Sequence, residues 1–169
     1  VRDGVVTHTG VLLFARREVL ARCCPQAQFH YVLHDSETTV ARNDIDRLPL
    51  LEAVERMEQV FVGPLNPERE IELGLFKLRI PQYPIEGVRE AVLNALTHRD
   101  YLNPGEILVR HSAQELVVTS PGGFVAGITP ENILRHEAVP RNRTLANALV
   151  KLRLVESSGI GRRRIFRSA

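Results

Sequence analysis

One uninterrupted stretch, REAVLNALTHRDY at residues 89–101, most constrains how this chain can fold. It contains neither proline nor glycine, and Asn103-Pro104-Gly105 follows it closely. With Pro84 placed in a first turn, these features predict a helix that ends just past Tyr101. Its apolar residues fall on one broad stripe of the helical wheel, namely Val88, Ala91, Val92, Ala95 and Leu96. The stretch therefore predicts an amphipathic helix packed on a core.

The opposite face of this helix carries three polar side chains that are able to do chemistry. Glu90, Asn94 and His98 are spaced four residues apart, so each lies about 6 Å further along one face. Carboxylate and amide oxygens suit Mg²⁺, and a carboxylate or an imidazole can activate water. The alternative is that the three residues form only the solvated side of the helix.

Composition narrows the classes of protein to consider. The 169 residues include 44% hydrophobic residues, enough for a globular core. A net charge of +2 and the absence of tryptophan argue against a strong nucleic-acid binder. Cys23 and Cys24 are adjacent and match no zinc-site spacing, which indicates a reduced, cytoplasmic protein. No apolar run reaches membrane-spanning length, so no membrane partner is expected.

The first part of the chain predicts a smaller α/β portion over residues 1–66. Short apolar or alternating runs predict strands, and a spacing of three to four residues predicts helices. The expected elements are a buried strand at Gly10–Ala15, a helix at Arg16–Cys24, a strand at Gln28–His34, a loop or edge strand at Asp35–Asp46 and a helix at Leu48–Phe61.

The second part, residues 67–169, predicts the main domain, although the two parts could form one continuous domain. The expected elements are extended structure at Glu70–Ile80, a hairpin of Glu106–Ser112 with Glu115–Thr119, and helices at Thr129–His136 and Arg143–Leu152, the last with Leu145, Ala148, Leu149 and Leu152 as its apolar stripe. The chain mixes helices with an antiparallel hairpin. It therefore predicts an α+β two-layer sandwich, a mixed sheet with helices on one face.

Two glycine-rich turns favour a functional role for the polar face of this helix over a merely solvated face. One runs from Pro121 to Gly127 after a strand, and the other spans residues 157–161. Such turns expose backbone N–H groups that favour phosphates, although ordinary turn chemistry is the alternative. No lysine follows in a Walker pattern, so a P-loop is excluded. The candidates for contact with a nucleotide are Gly122, Gly123, Gly127, Ser158, Gly159 and Gly161.

Three blocks in this order resemble a known family: REAVLNALTHRDY, TSPGGFVAGITPENIL and PRNRTLANALVKLRLVESSGIGRRRI. Together they resemble the C-terminal domain of RecG-related ATP-dependent DNA helicases, a divergent branch of the GHKL ATPases that include gyrase, histidine kinases and MutL. The resemblance runs from Tyr83 to Ile165. It implies a bacterial DNA-associated or transcription-regulatory protein, with an AlbA-like, Schlafen-type domain and DNA contacts outside this sequence. The helicase motor motifs are missing here, and the chain looks like a piece of a longer protein.

The resemblance also implies roles for individual residues. Glu90 matches the catalytic, water-activating glutamate, Asn94 the asparagine that coordinates Mg²⁺, and His98 a later polar position of the same motif. The implied cofactors are ATP and Mg²⁺, and the implied activity is a weak ATPase. The chain departs from the family at Thr119–Gly123, where no aspartate is available to bind adenine.

Several alternatives stay open from the sequence. Arg89 falls on the apolar side of the helix, where pairing with a carboxylate is expected. Arg141 and Asn142 are expected to organise a helix start, and His98-Arg99-Asp100 is either a catalytic relay or a local network.

The rival functions are a non-catalytic assembly module with a degenerate nucleotide pocket, and an accessory DNA-binding domain. The second would use a cluster of arginines, Arg162, Arg163, Arg164 and Arg167. The oligomeric state is also open, with a homo-oligomer as one option.

Overall fold

The computed structural model describes residues 4–62, 66, 68–125, 127–133, 135–137 and 139–155. Within these ranges the chain folds into five α-helices and six strands. The helices are α1 (His8–Phe14), α2 (Arg17–Cys23), α3 (Leu50–Val62), α4 (Ile85–His98) and α5 (Arg143–Lys151). The strands are β1 (Phe29–His34), β2 (Val40–Asp46), β3 (Glu68–Leu73), β4 (Phe76–Pro81), β5 (Ile107–His111) and β6 (Leu116–Thr119).

The larger sheet has four strands in the order β2-β1-β5-β6. β1 and β5 are parallel, whereas the outer pairs β1–β2 and β5–β6 are antiparallel, so the sheet is mixed. Along β5, Ile107, Val109 and His111 are buried while Arg110 is exposed. This alternation shows that one face of the sheet is covered, which confirms the predicted α+β sandwich with helices on one face.

Helix α4 lies at the centre of the core. Val92, Leu93 and Leu96 are each no more than 3% exposed, and they belong to one apolar cluster with Leu145 and Leu149 of α5. Truncating a leucine buried in this way typically costs about 2–5 kcal/mol. The predicted amphipathic helix is therefore confirmed, and its apolar face positions its polar face at the surface.

The predicted C-terminal limit of this helix is wrong. α4 ends at His98, three residues before Tyr101, because Arg99 leaves the helical region with φ −51° and ψ 138°. Pro84 is the N-cap residue and not part of the first turn. The three residues that follow, Arg99 to Tyr101, therefore form a corner and not a last helical turn.

Two other predicted elements are also corrected. The apolar run Gly10–Ala15 is not a strand: residues 10–14 lie in helix α1 and Ala15 is its C-cap, because the Thr7 hydroxyl accepts a hydrogen bond from the Gly10 N–H and starts a helix. The predicted helix at Thr129–His136 is a series of turns in its described residues. There the Asn132 side-chain amide accepts a hydrogen bond from the Thr129 N–H and donates one to the Gly127 carbonyl, both at 2.8 Å. These side-chain bonds compete with the backbone bonds of a regular helix.

The extended segment predicted at Glu70–Ile80 is a hairpin of β3 and β4, which form a separate two-stranded sheet. Leu152, predicted on the apolar stripe of α5, is 43% exposed because the helix ends at Lys151. The other predicted elements, α2, β1, the edge strand β2, α3, β5 and β6, are confirmed. In the described part of the chain, no helix has the length and apolarity needed to cross a membrane.

Candidate functional site

The three polar residues of α4 line up along its surface as the sequence predicts. Glu90, Asn94 and His98 are all partly exposed. The Asn94 amide nitrogen donates a hydrogen bond to Glu90 Oε1 at 3.2 Å. This bond uses the nitrogen and not the carbonyl oxygen Oδ1, which is the atom that a metal ion would take. The row therefore presents a carboxylate and an amide oxygen side by side.

The first glycine loop meets this helix at its C-terminal end. The Asp100 N–H donates to the Pro121 carbonyl at 2.9 Å. Gly122 has φ +104°, and a Cβ added there would lie 2.9 Å from the Asp100 Cβ. Close packing thus explains why Gly122 is a glycine, whereas a Cβ on Gly123 would meet no atom within 4 Å.

Arg141 ties this loop to the end of α4. Its Nε donates to the His98 carbonyl at 3.1 Å, and its Nη2 donates to the Gly123 carbonyl at 2.7 Å. Its Nη1 lies 3.9 Å from Asp100 Oδ2. Since Arg141 immediately precedes the N-cap of α5, one guanidinium holds the helix corner, the glycine loop and the next helix together.

Asn142 makes a second link of the same kind. It is the N-cap residue of α5, yet its side chain makes no capping bond. Its amide nitrogen instead donates to the Thr97 and Arg99 carbonyls, both at 2.8 Å. The predicted role of Arg141 and Asn142 at a helix start is thus extended, because both also fix the end of α4.

The sequence does not predict the burial of Arg99, whose side chain is fully buried. It donates to the backbone carbonyls of Gln26 at 2.7 Å, Asp100 at 3.1 Å and Gly105, and it lies 5.0 Å from the centre of the Tyr101 ring. Burial lowers its pKa from the ordinary value. Of the two open alternatives, these contacts fit a local network that holds the helix corner.

The remaining predicted site residues are Gly127 and those of the second glycine turn. Gly127 has φ +87°, and a Cβ added there would lie 3.4 Å from His136 Nε2, so its described contacts belong to its own loop. The second glycine turn lies outside the described residues, and so do the basic residues of the tail. These are Ser158, Gly159 and Gly161, then Arg162, Arg163, Arg164 and Arg167.

Arg89 behaves as predicted for a cation on the apolar side of the helix. Its Nε lies 3.3 Å from Glu58 Oε1 of α3. The pair lies beside a shallow groove between α3 and α4, which is lined mainly by apolar side chains, among them Val54, Met57, Val88 and Val92. Arg89 therefore faces α3, and Glu90, the next residue, faces another way.

The donor chemistry of the row fits Mg²⁺ better than a metal held wholly by protein. No cluster of three or more His, Cys, Asp or Glu that could hold a metal occurs in the residues that the structure describes. Mg²⁺ keeps several waters and is often bound by one or two protein oxygens together with substrate phosphates. Asn94 Oδ1 and the neighbouring Glu90 carboxylate meet that requirement.

Comparisons with known proteins agree with the resemblance seen in the sequence. Residues 105–169 match the model of the family described as "Putative ATP-dependent DNA helicase recG C-terminal". The match confirms the resemblance for that segment, and the α4 motif precedes it in the chain.

The crystal structure of the DIP2311 protein from Corynebacterium diphtheriae is similar in fold, with a TM-score of 0.81 and 29% sequence identity. The alignment covers 99% of this chain but only 33% of that protein. No curated protein matches the chain.

Proposed function

We propose that this chain is a divergent GHKL-type module that binds ATP with Mg²⁺, in a longer RecG-related protein associated with DNA or transcription. The observation that carries the proposal is the polar row of α4. Glu90 and Asn94 stand side by side and partly exposed, and the glycine loop is bound to the end of the same helix at Asp100. The match of residues 105–169 to an ATPase-like family supports it.

In this proposal each residue of the row has a separate task. Asn94 Oδ1 would hold the Mg²⁺, and the bound cation would neutralise charge on the phosphates. Glu90 would orient or deprotonate water, because its carboxylate lies next to the proposed cation ligand. His98 is the member of the row nearest the glycine loop in sequence, and its imidazole would contribute to phosphate binding. Gly123 keeps the loop surface open, since no atom lies within 4 Å of an added Cβ.

A second candidate is an assembly module whose nucleotide pocket has degenerated. Two observations favour it. The loop at residues 119–123 contains no aspartate for adenine, and losing one such hydrogen bond costs about 0.5–1.5 kcal/mol. Gly122 is also accounted for by packing against Asp100, without any phosphate. In this candidate the Asn94–Glu90 hydrogen bond is purely structural.

Isothermal titration calorimetry with ATP, ADP and a non-hydrolysable analogue, each with and without Mg²⁺, separates the two candidates. The nucleotide-binding proposal predicts saturable heat that depends on Mg²⁺. Glu90→Ala should then reduce any turnover more than binding, because a water-activating base acts mainly in the transition state. Absence of heat with all three ligands at millimolar concentration would favour the assembly module.

A further inference from the structure

The corner where α4 meets the glycine loop contains a cation that solvent can reach. The side chain of Arg141 is 27% exposed, whereas Arg99 in the same corner is fully buried and donates to backbone carbonyls. Two nitrogens of Arg141 are engaged, because Nε donates to the His98 carbonyl and Nη2 to the Gly123 carbonyl. These two bonds fix the orientation of the planar guanidinium.

The third nitrogen of this guanidinium keeps its donors. Among the residues that the structure describes, Arg141 Nη1 makes no hydrogen bond, and its charged neighbour is Asp100 Oδ2 at 3.9 Å. That distance is beyond hydrogen-bonding range, so the carboxylate does not use the N–H groups of Nη1. Gly122 leaves space beside the guanidinium, since a Cβ added there would lie 3.5 Å from Nη2.

A polyanion bound at this corner needs such a cation. Helix α4 ends at His98, and the carboxyl end of a helix carries a partial negative charge. The Asp100 carboxylate adds a further negative charge close to Arg141. Both groups disfavour a phosphate, whereas an oriented guanidinium offers the charge-assisted hydrogen bonds by which arginine binds phosphates.

We propose that Arg141 Nη1 binds the phosphate chain of the nucleotide, in addition to the bonds that Arg141 makes within the fold. This role rests on the proposed function, in which Mg²⁺ is held at Asn94, one helical turn or about 6 Å from His98. Arg141 is bonded to the His98 carbonyl and to the glycine loop, so it lies where the polar row and the loop meet. The ligand class is therefore a nucleoside polyphosphate, with Mg²⁺ and Arg141 sharing the charge of its phosphates.

Isothermal titration calorimetry with Mg-ATP tests the role of Arg141. Arg141→Gln should raise the dissociation constant at least about tenfold, because it removes a charge-assisted hydrogen bond to phosphate. The matched control is Arg143→Gln, which removes the same charge from an exposed arginine that makes no hydrogen bond or ion pair with the described residues. The control should leave the dissociation constant nearly unchanged, since salt screens exposed charges.

Asp100→Asn separates a phosphate contact from a purely structural role of Arg141. The asparagine oxygen can still accept from the Leu102 N–H, as Asp100 Oδ1 does at 3.0 Å. Removing the negative charge beside Nη1 should lower the dissociation constant about two- to fivefold. If Arg141 only holds the loop, losing its ion-pair partner should leave the affinity unchanged or weaken it. Thermal unfolding without ligand establishes that each variant is folded.

The outcomes distinguish this role from the proposed function. A wild-type chain that does not bind Mg-ATP would overturn both. Wild-type binding with equal dissociation constants for Arg141→Gln and Arg143→Gln would overturn the role of Arg141 alone, and so would the lack of any gain in Asp100→Asn. Should Arg141→Gln fail to fold, the sign of the change in Asp100→Asn decides.

Discussion

The two halves of the motif at residues 89–101 have opposite roles although both are rich in polar residues. In the first half, Glu90 and Asn94 are partly exposed, and the hydrogen bond between them lies within one helix. In the second half, Arg99 is fully buried and binds the carbonyls of Gln26, Asp100 and Gly105. The contacts of the second half hold the fold together, whereas the side chains of Glu90 and Asn94 in the first half are partly exposed.

The difference follows from where the helix ends. The last turn of a helix leaves carbonyl groups without intrahelical partners, and a buried corner must satisfy them. Arg141 and Asn142 donate to the carbonyls of His98, Thr97 and Arg99. Carbonyl groups in the middle of the helix already have intrahelical partners. We therefore expect substitution of Asn94 to leave the backbone undisturbed.

The largest expected effect is on the buried half. Arg99→Met should lower the free energy of unfolding by about 3–5 kcal/mol, because it leaves several part-buried carbonyls without their donors and loses a set of bonds made by one buried guanidinium. Arg99→Lys should not restore it, since one ammonium cannot match the planar fork of donors. The control is Arg89→Lys, whose ion pair with Glu58 is partly exposed and should contribute no more than about 1 kcal/mol. Urea unfolding measures all three, and equal effects at Arg89 and Arg99 would contradict the comparison.

The glycine loop offers an intermediate effect with a neighbouring control. Gly122→Ala should lower stability by about 1–3 kcal/mol because of its backbone strain and the contact with Asp100. Gly123→Ala meets open space, so it should be close to neutral. Thermal unfolding compares them. If the two alanines had the same effect, close packing would not explain Gly122.

A smaller effect is expected on the pH dependence of folding stability, through two histidines of the sheet. His111 is buried, its Nδ1 lies 2.8 Å from the Tyr31 hydroxyl, and burial lowers its pKa. Below the ordinary pKa of 6.5, His111 is protonated in the unfolded chain, whereas burial disfavours its protonated form in the folded chain. His111 therefore makes the stability of the fold decrease as pH drops. For His30, burial lowers the pKa, but the bonds to Glu106 and Asn43 outweigh it, so its pKa is raised. Its stabilisation is present at low pH and is lost as pH rises through the folded pKa.

Urea unfolding of His111→Gln and His30→Gln, measured from about pH 8 to about pH 5, checks these signs. The stability difference between wild type and His111→Gln should shrink as pH falls. The difference for His30→Gln should grow. Parallel pH profiles for the two variants would refute the assignment.

The sequence predicts the elements whose periodicity is unambiguous. α4, β5 and β6 follow from their patterns, because one face of α4 and of β5 is buried, and Leu116 and Val118 of β6 pack partly buried against the core. The run Gly10–Ala15 could not be assigned by pattern, since a short apolar run fits a buried strand or a buried helix and Thr7 decides between them. The hairpin turn could have been found at Gly74, where glycine stands between two runs that alternate charged and apolar residues.

The candidate site was predictable only in part. The spacing of Glu90, Asn94 and His98 places them on one helix face, and the structure agrees. No local pattern shows that Arg99 is buried, because its partner Gln26 lies 73 residues away in sequence. Likewise, the need for glycine at position 122 depends on a close approach to Asp100 that only the folded chain displays.

Thermal unfolding with increasing Mg-ATP, carried out on wild type, Asn94→Ala and the control Glu86→Ala, tests the central claim most directly. Without ligand, all three should unfold within about 0.5 kcal/mol of one another, because both changes lie on a solvated helix face. At about a hundred times the dissociation constant, Mg-ATP should stabilise wild type and Glu86→Ala by about 2.7 kcal/mol. Asn94→Ala should lack this Mg²⁺-dependent gain. A wild-type melting temperature that stays flat through millimolar Mg-ATP, or an equal gain in Asn94→Ala, would contradict the proposed nucleotide site.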